Sequence, residues 1–130
     1  LGRLEICEIL EGEEGVKKIV LFAFNGDKMC FIHVLLNALD MKEKGYEVKI
    51  VVEGSATKLV PEMAKEGDFL NPLYEKAKAA GLFTVVCKAC SAKMKVLEAV
   101  EKAGLPLGGT LKGHPSMSEY LDQGYQLVTF

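Results

Sequence analysis

The feature that most constrains this chain is an apolar run that ends abruptly in turn or cysteine residues, and it occurs three times. Val16-Lys17-Lys18-Ile19-Val20-Leu21-Phe22-Ala23-Phe24 stops at Asn25-Gly26-Asp27. Glu47-Val48-Lys49-Ile50-Val51-Val52 stops at Glu53-Gly54-Ser55, and Leu82-Phe83-Thr84-Val85-Val86-Cys87 runs into Lys88-Ala89-Cys90. A strand covered on one face alternates apolar and polar residues, whereas one covered on both reads as a continuous run. Runs of this kind belong to parallel sheets.

Helical segments lie between the runs. Asp27 is an N-cap residue for a helix over residues 29–44, apolar almost all round its first three turns and stopped by Gly45. Residues 57–65 read as a short helix with Pro61 in its first turn. Asn71-Pro72 reads as an N-cap followed by a proline at the first helical position, opening a helix to about Ala80. A further helix is expected from about Ser91 to Ala103, ended by Gly104. Residues 105–112 hold a short strand broken by Gly108-Gly109. Ser116-Met117-Ser118-Glu119 has capping-box spacing and opens a last short helix, and residues 125–130 form a final strand. This alternation predicts an α/β fold with a mainly parallel sheet and helices on both faces. Residues 1–15, with five Glu against one Arg, read as an N-terminal arm and acidic linker; residues 16–130 read as a single domain.

Composition excludes several classes. Apolar residues make up 49% of the 130 and charged residues 26%, which is the profile of a globular chain. The net charge of −2, with both signs mixed, argues against a nucleic-acid surface. No apolar run approaches the roughly 20 residues that span a bilayer. Four cysteines are too few for a disulfide framework in a chain of this length, so a reducing, cytoplasmic location is expected.

In an open parallel sheet, ligands bind beyond the carboxyl ends of the strands. That rule selects Asn25, Gly26 and Asp27 after the first strand, Glu53, Gly54 and Ser55 after the second, and Cys87, Lys88, Cys90 and Ser91 after the third. Gly113 and His114 follow the fourth. The Asn25-Gly26-Asp27 loop is too short for a flavin phosphate, and neither GxGxxG nor GxxxxGK[ST] is present, so no nucleotide cofactor is expected. Cys90 is the favoured nucleophile, because a helix N-terminus there would favour the thiolate. Cys87 is its partner or a packing residue, on a strand face shared with Phe83 and Val85. A lone CxxC is only half a zinc site, so no metal is expected. Cys30 reads as core, His33 as a boundary or interface residue, and the methionines as core. For Glu53 the plain reading is a solvent-facing strand end, for Asp27 an N-cap, and for His114 turn chemistry or a role near the thiol.

From about Lys17 to Phe130 the chain resembles the DsrE/DsrF-like sulfur-relay family. The resemblance rests on KKIVLFAFN before a long apolar helix, VKIVVEGSA with its Glu-Gly end, GLFTVVCKACSAKM and the closing GYQLVTF. It implies a three-layer α/β sandwich with a five-stranded sheet, flavodoxin-like in general architecture, in subunits that form homotrimers or homohexamers. It also implies a cysteine that accepts sulfur as a persulfide from a donor protein and passes it to an acceptor protein. That role falls on the Cys87–Cys90 segment, with the Cys90-to-Met94 spacing fitting best. The second cysteine leaves two other readings open: a thiol–disulfide redox module, or a non-catalytic binding or assembly subunit.

Overall fold

The computed structural model describes residues 15–130; the expected N-terminal arm and linker fall almost wholly outside the described residues. Five strands form one parallel sheet: β1 (Lys18–Ala23), β2 (Glu47–Val52), β3 (Phe83–Cys87), β4 (Leu107–Gly108) and β5 (Gln126–Thr129), in the order β4-β3-β2-β1-β5. The α/β architecture and the five-stranded sheet expected from the sequence are both present. Among the described residues, no helix is long and apolar enough to cross a membrane.

The helices are α1 (Lys28–Glu43), α2 (Leu59–Met63), α3 (Asn71–Ala79), α4 (Lys88–Lys93), α5 (Leu97–Lys102) and α6 (Met117–Asp122), with a 3-10 turn over Gly54–Lys58 before α2. Alternate residues of β1 enter different cores, as the period of two requires. Ile19, Leu21 and Ala23 join the larger core, with Phe31, Val34, Leu35 and Ala38 of α1 and residues of α2, α3 and α5. The four α1 residues are spaced as one helical face. Val20 and Phe22 join a smaller core with Val51, Tyr120 of α6 and Tyr125. Phe22 meets the Tyr120 ring edge-on at 5.7 Å between centroids, and Tyr120 meets Tyr125 in the same way at 6.1 Å.

This asymmetry locates a crevice. The chain leaves β3 for α4 and α5 on the side of the larger core, whereas it leaves β4 for α6 on the other side. Neighbouring strands whose outgoing loops part to opposite faces open a cleft at their carboxyl ends. Here that pair is β3 and β4.

Several local expectations differ from the structure. The single helix expected over residues 91–103 is two six-residue helices. Lys95 has φ 62°, the Val96 N–H donates to the Ser91 carbonyl and the Lys95 N–H to the Ala92 carbonyl. This is a Schellman stop built on lysine rather than glycine, so its usual sequence signal is missing. Asn71 does not cap α3: Leu70 is the cap residue, and the Asn71 amide instead donates to the Met63 carbonyl at 2.8 Å. The capping box of α6 does not form, because Glu119 accepts from Thr110 and Ser116 pairs with Ser118. Of the methionines, Met29, Met94 and Met117 are exposed and Met63 is buried. Ile50 and Val51 pair with Phe83 and Val85, so Thr84 is an extra residue that makes a bulge in β3; Phe83 enters the larger core and Val85 packs against the smaller one, so these two do not share a face.

Phe22 is fully buried and packs against α6, which covers its face of the sheet among the described residues. Phe22→Ala is expected to cost about 3–5 kcal/mol of stability, read as a lower urea midpoint with an unchanged slope.

Candidate functional site

The loops after β1 and β2 are joined to each other. The Ser55 hydroxyl donates to the Phe24 carbonyl at 3.1 Å, and the Gly26 N–H donates to the Ser55 Oγ at 3.0 Å. A Cβ on Gly26 would lie 2.7 Å from the Ser55 carbonyl oxygen, so this close approach requires glycine. Asp27 caps α1, its Oδ1 accepting from the Met29 N–H at 2.8 Å, and the Asn25 Oδ1 accepts from the Asp27 N–H at 2.9 Å. Gly54, at φ 55°, turns the chain beneath Phe24. These residues, selected from the sequence as candidate binders, have their polar groups engaged in holding the two loops. Lys88 is exposed, and Ser91 is fully buried with its hydroxyl unpartnered.

The remaining candidates converge. Glu53, Cys87, Cys90 and His114 bring one donor atom each to a cluster in which all four lie within 4.8 Å of one another. The Cys87 Sγ stands 3.1 Å from the His114 Nδ1, the Cys90 Sγ stands 3.6 Å from the same nitrogen, and the Glu53 Oε1 lies 3.9 Å from it. They come from the ends of β2 and β3 and from the loop after β4, at the crevice that the topology opens.

Helix α4 begins at Lys88, so its cap residue is Cys87 and not Cys90. The Cys87 Sγ accepts from the Cys90 N–H at 3.3 Å. The amide expected to steady a Cys90 thiolate thus points to the other sulfur. Cys87 has no exposed surface, and burial pushes its thiol up to about 12 despite the Cys90 N–H, which acts in the opposite direction. Cys90 is half-buried and open to the surface. Glu53 is buried as well, contrary to the solvent-facing reading of its position. Burial raises its carboxyl above the usual range, opposed by His114 and by the Cys87 thiol. His33 and Cys30 lie on α1, outside this cluster.

His114 is placed by a tight turn that sequence reading registered only as a Gly-His-Pro segment. Residues 111–114 form a type I′ turn, with Lys112 at φ 52° and Gly113 at φ 89°. Leu111 and His114 exchange backbone bonds of 2.8 and 2.9 Å across it. The turn is pinned over the cysteines by the Gly113 carbonyl, which accepts from the Ala89 N–H at 3.1 Å and from the Cys87 thiol at 3.6 Å. Gly113, offered together with His114 by the loop after the fourth strand, contributes its backbone carbonyl rather than a side chain. A cleft of about 480 Å³ lined by Phe24, Leu111, Met117, Glu53 and His114 opens the acid and the imidazole to solvent.

Two outcomes follow from this geometry. Iodoacetamide is expected to label Cys90 in the folded protein and to reach Cys87 only with denaturant, as read by tandem mass spectrometry of the peptide that holds both. Gly109 has φ 148°, and a Cβ there would lie 2.4 Å from the Gly113 backbone. Gly109→Ala should therefore destabilise the fold by about 1–3 kcal/mol and loosen the turn, exposing Cys87 to the same reagent before global unfolding.

Comparison with known proteins agrees with this fold. The chain is 40% identical over 97 residues to an uncharacterised protein of Methanocaldococcus jannaschii, MJ0733, spanning 75% of this chain and 77% of that one. It is 39% identical over 59 residues to an uncharacterised protein of Archaeoglobus fulgidus, spanning 45% of this chain and 95% of the other. Its fold is similar to that of a conserved protein of unknown function from Bacteroides thetaiotaomicron, BT1422, with a TM-score of 0.69 at 18% identity over 88% of this chain and 95% of that one. The family model for the DsrE/DsrF-like family matches residues 18–130, and the chain belongs to that family.

Proposed function

We propose that the protein is a sulfur carrier in which Cys90 holds a persulfide received from one protein and delivered to another. The observation that carries the reading is the difference in access between its two sulfurs: Cys90 reaches the surface and Cys87 does not. A donor persulfide is attacked at its outer sulfur by the Cys90 thiolate. The S–S bond of the donor breaks, a new S–S bond forms on Cys90, and the donor leaves as a thiolate. An acceptor thiolate then takes the outer sulfur by the same exchange, with no net oxidation or reduction. His114, 3.6 Å from the Cys90 Sγ, is placed to exchange a proton with that thiol.

The second thiol is the hazard for such a carrier. Attack by Cys87 on the inner sulfur would close a Cys87–Cys90 disulfide and release sulfide. Burial opposes this, because a thiol excluded from water holds its proton and attacks slowly. Protein donors and acceptors, assembly as a homotrimer or homohexamer and a cytoplasmic location belong to the same proposal.

Reduced protein incubated with a persulfide donor should gain about 32 Da, the mass of one transferred sulfur atom, on Cys90. Cys90→Ser should abolish the gain and Cys87→Ala should preserve it. A loss of about 2 Da, the signature of a disulfide formed by thiol exchange, with no sulfur gained would replace this reading by the redox module.

A further inference from the structure

We propose that Glu53, Cys87, Cys90 and His114 form a tetrahedral binding site for a thiophilic divalent cation, with Zn²⁺ the best match. The inference goes beyond sulfur transfer and stands or falls without it. It rests on placement: four donor atoms from three separate loops lie within 4.8 Å of one another. Bonds of about 2.3 Å to sulfur and 2.0–2.2 Å to nitrogen and oxygen put tetrahedral donor atoms about 3.3–3.8 Å apart. The separations from the His114 Nδ1 are 3.1 Å to the Cys87 Sγ, 3.6 Å to the Cys90 Sγ and 3.9 Å to the Glu53 Oε1. The widest separation in the cluster, up to 4.8 Å, exceeds that spacing by about 1 Å, so side-chain movements of up to about 1 Å would accept the ion.

The surroundings of Glu53 point to a cation independently. Its side chain is only 8% exposed, and the nearest basic group, the His114 Nδ1, is beyond hydrogen-bond reach at 3.9 Å. A carboxylate buried beside two thiols is costly unless a positive charge shares the space. A divalent ion supplies that charge as each thiol gives up its proton to solvent. Two thiolates, an imidazole and one carboxylate disfavour Mg²⁺ and Ca²⁺, which take oxygen donors, and suit Zn²⁺.

The support around the donors fits the same role. The Cys90 N–H donates to the Cys87 Sγ, as backbone amides do to thiolates in zinc sites. The Gly113 carbonyl ties the His114 turn to the Ala89 N–H, which fixes the imidazole over the two sulfurs. A CxxC alone is half a site; the other half arrives from the ends of β2 and β4. Occupancy would remove the Cys90 lone pair from use, so a metal-loaded protein and a sulfur-loaded protein are alternative states of one site.

The test is anaerobic titration of the reduced full chain with Co²⁺, followed by displacement with Zn²⁺. The expected result is one equivalent per chain, intense visible bands of tetrahedral cobalt and a near-ultraviolet thiolate-to-metal band. His114→Ala should weaken zinc binding at least about a hundredfold and Glu53→Gln at least about tenfold, since even outer-shell losses cost 10–100-fold. Circular dichroism of the variants checks that each is folded, and the wild-type cobalt spectrum reads the geometry without any variant. Absence of the tetrahedral bands would overturn the proposal. So would affinities unchanged in both variants, which would mean chelation by the cysteine pair alone. Zinc should also slow Cys90 alkylation at least about tenfold, by the same loss of a free thiolate. Metal binding without any persulfide leaves this site and removes the carrier; a persulfide without metal binding does the reverse.

Discussion

Parallel pairing of β2, β3 and β4 is the constraint on which the site depends. Because these strands run the same way, their carboxyl ends lie side by side, and whatever follows each strand is delivered to one rim. Glu53 follows β2, Cys87 ends β3, and the His114 turn lies beyond β4. An antiparallel β3 would send the cysteines to the opposite edge from Glu53. The register that aligns Val86 with Leu107 and Cys87 with Gly108 brings the two chain ends together, and the backbone bond from Ala89 to Gly113 closes the distance that remains.

The second determinant is the unequal cover of the sheet. Among the described residues, one face carries the larger core with α1, α2, α3 and α5; the other carries α6 and the aromatic rings of Phe22, Tyr120 and Tyr125. The chain must pass from one face to the other after β4, and that passage parts the loops of β3 and β4. The crevice is therefore a consequence of where α6 packs. Beside it Cys90 is half-buried and Cys87 fully enclosed, and under the proposed sulfur transfer this difference would set the two chemically identical side chains apart.

Much of the fold was legible because burial on two faces leaves a continuous apolar run that needs no alignment to see. Asp27 was correctly read as a cap, since its side chain has a local partner two residues away. The errors fell where local chemistry was overruled from a distance. Asn71 has the composition of a cap, yet its amide is drawn to the carbonyl of Met63. Lys95 ends α4 in a left-handed conformation that glycine would have announced. Glu53 is selected as a candidate by its place at a strand end, with solvent exposure as the plain reading; its neighbours in space are a buried thiol and an imidazole.

The order of strands and helices, the parallel sheet and the rim at which chemistry would gather were determined by the sequence alone, because apolar periodicity and turn residues are local properties of the chain. Which cysteine faces solvent, and which acid and histidine stand beside it, were decided by the tertiary structure. The physical reason is range. A helix that starts three residues before its expected place makes Cys87 rather than Cys90 the cap, and the cap sulfur is the enclosed one. Residues 53, 87 and 114 share no local pattern, and the sheet register and the turn pinned at Gly113 bring their donor atoms within 4.8 Å of one another.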